Sequence, residues 1–254
     1  GGWTFEPWRG VFYPDDLSQK RELENASRKL TSIEINGTYY STFKPESWAK
    51  WAASTPDGFK FSVKASRYST NRKVLGEGAE SVGKFLNQGI SELGDRLGPI
   101  LWQFMATKKF DPADFEAFLQ LLPDKLDGLP LRHVVEPRHE SFCTPEFVAL
   151  ARKYGVSICL AHHHTYPMID DVTGDLVYAR LQTGSDDVAT AYEPKVLDAW
   201  ADRFKTYAGG GQPDVLSMSS AQAAPNKPRD VYAFIIHEGK VRAPAGAMAL
   251  QAKV

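Results

Sequence analysis

Seven short apolar runs, each separated from the next by residues of other character, constrain this chain more than any other feature. They cover Thr31 to Gly37, Phe59 to Ser66, Pro99 to Phe104, Leu131 to Arg138, Val156 to His163, Leu176 to Thr183 and Val231 to His237. Between most of them, Pro45 to Ser54, Ala79 to Leu93, Pro112 to Leu122, Thr144 to Tyr154 and Pro194 to Tyr207 show the apolar spacing of one buried helix face. Thr144 is expected as an N-cap, Pro145 as the first helical residue and Gly155 as the stop. Strands alternating with helices imply repeated βαβ units and a parallel sheet. His164 to Asp175 and the Gly-, Ala-, Ser- and Pro-rich stretch from Gly209 to Arg229 break the rhythm and read as loops.

A length of 254 residues suits one large α/β barrel, and no repeat or linker divides it, so a single domain over 1–254 is expected. Seven runs are one short of a (β/α)8 barrel. The expected fold is therefore α/β, a TIM-like barrel whose first strand is truncated at the N-terminus, because Gly1-Gly2-Trp3 resembles the exit from a strand. An open doubly wound sheet is the alternative. It is disfavoured because no glycine-rich phosphate fingerprint follows an early run.

Barrel sites lie at the C-terminal ends of the strands. There the alternation of faces sets polar residues on one parity: Glu34 and Asn36, then Ser62 and Lys64, with Tyr39 and Arg67 just beyond these strands. Gln103 ends the next run, Glu136, Arg138 and His139 the one after, and Tyr178, Arg180 and Gln182 alternate along Leu176 to Thr183. Buried carboxylates and arginines are costly unless they pair with each other or meet a ligand. Glu34, Glu136, Lys64 and His139 are thus the catalytic candidates, and Asn36, Tyr39, Arg67, Gln103, Arg138 and Arg180 the substrate-binding ones. Glu34 with Lys64, or Glu136 with Arg180, as satisfied core ion pairs is the competing structural reading.

A net charge of -1 leaves no electrostatic footprint for nucleic acid or anionic membrane, so nucleic acid is not an expected partner. No apolar stretch reaches membrane-spanning length and no signal peptide opens the chain. Cys143 and Cys159 could make at most one bridge, and Cys159 in an apolar run reads as a buried free thiol, which fits a reducing cytoplasm. His162 and His164 share a strand parity, but no HxxxH or CxxC motif adds further ligands, so no metal is expected. The aromatic start, Trp3, Phe5, Trp8, Phe12 and Tyr13 around Arg9, reads as an apolar lid over the barrel rather than a platform for bases.

Several linked motifs also resemble the DUF72 (YecE-like) family. They are Gly2-Trp3, Trp8-Arg9-Gly10-Val11-Phe12-Tyr13-Pro14, Ile33-Glu34-Ile35-Asn36-Gly37-Thr38-Tyr39-Tyr40 and Gly58-Phe59-Lys60-Phe61-Ser62-Val63-Lys64. Leu93-Gly94-Asp95-Arg96-Leu97-Gly98-Pro99-Ile100, Glu136-Pro137-Arg138-His139-Glu140-Ser141-Phe142 and Val177-Tyr178-Ala179-Arg180-Leu181 continue the agreement. The resemblance implies a TIM-like barrel and leaves function open. The chain departs from it where Gln182-Thr183-Gly184 replaces a His-Gly pair, where His162 replaces an Asp, and where Phe234-Ile235-Ile236-His237 replaces Phe-Asn-Asn-Asp.

The residues suit a cofactor-independent enzyme, a hydrolase or lyase, using carboxylate acid/base chemistry on a small anionic or polyhydroxylated substrate. A non-catalytic binder of small ligands is the alternative. A metal-dependent nucleic-acid enzyme would need a ligand cluster that the sequence does not offer.

Overall fold

A computed structural model describes residues 2–214, 217–220 and 222–254. Val215 and Leu216, inside the long loop expected before the last strand, and Ala221 lie outside the described residues, as does Gly1. Seven strands form one parallel sheet in the order β1-β2-β3-β6-β7-β8-β9. They are β1 (Ser32–Ile35), β2 (Lys60–Lys64), β3 (Leu97–Gln103), β6 (His133–Glu136), β7 (Ser157–His162), β8 (Leu176–Thr183) and β9 (Asp230–Glu238). Each lies within or closely over one of the seven apolar runs. β4 (Lys125–Leu126) and β5 (Leu129–Pro130) make a separate hairpin around Asp127 and Gly128, both at positive φ. Asp-Gly is the turn such a tight hairpin favours.

The helices are α1 (Glu22–Ser27), α2 (Pro45–Ala53), α3 (Arg67–Thr70), α4 (Ala79–Leu86), α5 (Pro112–Leu119), α6 (Pro145–Lys153), α7 (Pro194–Ala208) and α8 (Ala243–Gln251). Local chemistry sets their ends. The Thr144 hydroxyl accepts from the Phe147 N–H at the start of α6, Pro145 needs no partner there, and Gly155 turns the chain with φ +63. The helix expected over 79–93 instead stops at Leu86. Gly89 takes φ +105, and a 3-10 stretch, Ile90–Arg96, buries Ile90 and Leu93.

The sheet curls until β1 and β9 face one another without pairing. Their seam is lined by Ile33, Glu34, Phe234 and Ile236 on the strands and covered by Trp8 and α8, with the Gly2 N–H donating to the Glu34 carbonyl at 2.7 Å. The aromatic start does not cap the barrel mouth as expected. Trp3 meets Trp51 of α2 at 5.1 Å and Phe61 of β2 at 5.9 Å, Trp8 donates from its indole to the Lys240 carbonyl at 2.8 Å, and Tyr13 donates to the Trp3 carbonyl at 2.7 Å. Phe61 is on the outward parity of β2, so the segment packs on the flank. Large apolar rings gain most where the helix layer already excludes water.

Side chains inside the barrel form layers. Leu101, Val134, Cys159, Leu176, Tyr178, Phe234 and Ile236 make an apolar cluster. Glu34, Lys64, Gln103, Glu136 and Arg180, each at or near a strand's C-terminal end, make a charged layer. Both cysteines are free thiols. Among the described residues no helix is long and apolar enough to cross a membrane.

Candidate functional site

Two glutamates and one arginine make the centre of the charged layer. Arg180 is 3% exposed, and it donates to Glu34 through Nε at 3.1 Å and Nη2 at 3.0 Å and to Glu136 through Nη1 at 2.6 Å. The Glu34 carboxylate also accepts from the Tyr178 hydroxyl at 2.6 Å and the Asn36 amide at 2.9 Å. Ser62 lies 2.7 Å from the same Tyr178 hydroxyl. Glu136, fully buried, accepts in addition from Arg138 Nε and from the Gln103 amide, both at 2.9 Å.

Burial alone would raise the pKa of both acids. At Glu34 the Arg180 charge and the hydrogen bonds from Tyr178 and Arg180 overcome that cost and hold the carboxyl down at about 2. Glu136 is likewise lowered, against burial, by Arg180, Arg138, Gln103 and Lys64. Both side chains therefore stay ionised at neutral pH, with their oxygens supplied with donors.

Lys64 differs. It does not pair with Glu34 as the competing sequence reading allowed, because Arg180 takes that place, and among the described residues no carboxylate lies within salt-bridge distance of its ammonium group. The Nζ sits 4.1 Å from the centre of the Tyr39 ring, which supplies a cation–π contact. Burial, followed by repulsion from Arg180, lowers its pKa to about 8 although Glu34 and Glu136 pull the other way. Two carboxylates thus face three cations, Arg180, Arg138 and Lys64, and one positive charge is left over when Lys64 is protonated.

The fold brings Glu34, Asn36, Tyr39, Lys64, Gln103, Glu136, Arg138 and Arg180 together. Arg67 and His139 fall outside the cluster. Arg67 is exposed beside the rings of Tyr68 and Tyr40, and the His139 ring accepts from the Ser141 N–H, capping the short turn Glu140–Phe142. Tyr166 was not singled out from the sequence. Its ring lies 4.4 Å from the Arg138 guanidinium on one side and stacks on His163 at 4.0 Å. It comes from a loop, where no periodicity marks a side chain that folds back.

His162 faces α7 rather than the axis, with its ring 5.2 Å from Trp200 and its Nδ1 3.1 Å from the Thr183 hydroxyl, whereas His164 pairs with Glu238 at 3.2 Å. Among the described residues no group of three or more His, Cys, Asp or Glu is placed to hold a metal ion.

A sequence profile described as "Protein of unknown function DUF72" matches residues 1–254. Two curated relatives, both called UPF0759 protein YecE, from Escherichia coli strain K12 and from Escherichia coli O157:H7, are 32% identical over 120 residues. That alignment takes in 47% of this chain and only 42% of either relative's length. A DUF72 family protein of Thermotoga maritima superposes with a TM-score of 0.69 at 22% identity, covering 98% of this chain and 94% of the other. One from Enterococcus faecalis gives 0.65 at 16%, covering 91% and 92%, and SacUVDE gives 0.55 at 10%, covering 94% and 91%. At such identities these likenesses show a shared fold.

Proposed function

The chain belongs to the DUF72 family, and from that premise we propose that it is an enzyme that moves a proton on a small anionic substrate, with Lys64 as the acid/base. The observation carrying this reading is Lys64, a residue 9% exposed at a strand end, whose ammonium rests on Tyr39 and has no salt bridge among the described residues. Taking a lysine out of water without a counter-ion is costly, so a purely structural position would favour an apolar residue. An amine that titrates close to neutral pH can serve as either acid or base. The surplus positive charge favours an anion or a substrate whose charge becomes more negative in the transition state.

In this reading Glu34 and Glu136 do not exchange protons. They fix Arg180, and through it the geometry of the layer, while Arg138 keeps donors free for substrate oxygens. The role needs no cofactor, since the amine itself gives and takes the proton. The expected partner is a small molecule, in keeping with a cytoplasmic protein of near-zero net charge.

The test is a screen of small phosphorylated and carboxylated metabolites for protein-dependent deuterium uptake from heavy water, read by mass spectrometry. At least one compound should take up deuterium with the wild-type protein and none with Lys64→Met. Saturable binding with neither exchange nor turnover would favour the non-catalytic binder instead.

A further inference from the structure

The last three strands carry polar groups that the glutamate cluster does not use. Gln182 follows Arg180 on the same parity of β8 and is only 1% exposed. Its side-chain Nε2 has no acceptor among the described residues. Leaving a buried amide donor unpaired is costly, so Leu or Met would suit this position better if it were only structural.

Strand register sets the His163 position on one side of it and the β9 bulge that carries His237 on the other. Ala161 pairs with Arg180 and His162 with Leu181 across β7 and β8, which brings His163 level with Gln182. On the other side Leu181 faces Ile235 while Thr183 faces Glu238, so β9 carries one extra residue there. This bulge holds His237 at φ +71, a left-handed conformation that a non-glycine residue adopts only at a cost. Bulges re-aim side chains, and here the His237 ring comes within 5.6 Å of the His163 ring. The Nδ1 of His163 accepts from the Thr165 N–H, so the neutral ring carries its proton on Nε2 and is a donor there. Glu238 lies at the rim, 3.2 Å from His164 and 3.9 Å from His237.

We infer that Gln182, His163 and His237 form an oxyanion subsite that holds a carboxylate or phosphate group of the ligand while the ligand's reacting part meets Lys64. The three side chains offer donors and a strained backbone to a group rich in acceptors. The inference rests on reading the strand ends as a ligand site, but it does not require Lys64 to transfer a proton.

Isothermal titration of sodium phosphate and of sodium acetate into the purified protein tests it, and the two titrations tell phosphate from carboxylate preference. Wild-type protein should bind at least one of them saturably. Gln182→Leu should weaken that binding by about tenfold or more, since a buried donor is lost. Gln182→Glu should weaken it further by adding a negative charge, and it keeps the test open if the leucine variant does not fold. No binding of either anion by the wild-type protein overturns the inference, as does binding that survives in both Gln182 variants. If Gln182-dependent binding is found while deuterium uptake is absent, the proton-transfer reading falls and the subsite stands.

Discussion

Arg180 and Lys64 are both buried cations of the same layer, yet their surroundings are built on opposite terms. Around Arg180, donors and acceptors match: two carboxylates receive its guanidinium, and Tyr178, Asn36, Gln103 and Arg138 fill the oxygens that remain. Around Lys64 and the rim at Gln182, donors outnumber acceptors. The first arrangement is rigid and self-sufficient. On the proposed function the second is completed by a ligand's oxygens, and that difference would separate scaffold from site within one layer.

Arg180→Met should have the largest effect, because it leaves two buried carboxylates without their shared partner. A loss of about 3–5 kcal/mol is expected, seen in denaturant unfolding as a lower midpoint. A loss below about 1 kcal/mol would mean that the trio is not a scaffold.

Acid should attack the same group. The Glu34 carboxyl is depressed from its ordinary 4.5 to about 2 in the folded protein, so its contribution is complete above pH 4.5 and is lost as pH falls toward 2. Melting temperatures measured across that window should fall steeply for the wild-type protein and more gently for Glu34→Gln.

Lys64→Met should act in the opposite sense. The folded-state pKa of Lys64 is lowered from 10.5 to about 8, so the folded protein bears a penalty below pH 8 that is relieved as pH rises toward 10.5. Removing the amine should raise stability at neutral pH by about 1–3 kcal/mol and flatten the rise between pH 8 and 10.5. A variant that melts lower at pH 7 would make Lys64 part of the scaffold.

His237→Gly should have the smallest effect, a gain of about 0.5–1 kcal/mol as relief of the left-handed backbone outweighs glycine's entropy. No gain would remove the strain argument at the rim.

Much of this was legible in the sequence because parity is a strong signal. Glu34, Lys64, Gln103, Glu136 and Arg180 sit at the ends of runs whose alternation assigns them to one face, and parallel pairing then brings those ends together. The Glu136–Arg180 pair was among those the alternation suggested, whereas the second bond of Arg180, to Glu34, was not, since it spans 146 residues and only the closed sheet makes them neighbours. His139 and Arg67 lie one residue or more past a strand, where the chain turns and parity lapses. There a cap or an exposed stack decided their direction instead. The Asp127-Gly128 hairpin and the extra residue on β9 were local signals too short for a periodicity to reveal.

The most direct measurement is the titration of Lys64 in the folded protein. Reductive methylation with carbon-13 formaldehyde gives each lysine an NMR signal, and Lys64→Met identifies the one that matters. The account predicts a midpoint near 8, and a midpoint at the ordinary 10.5 would contradict it.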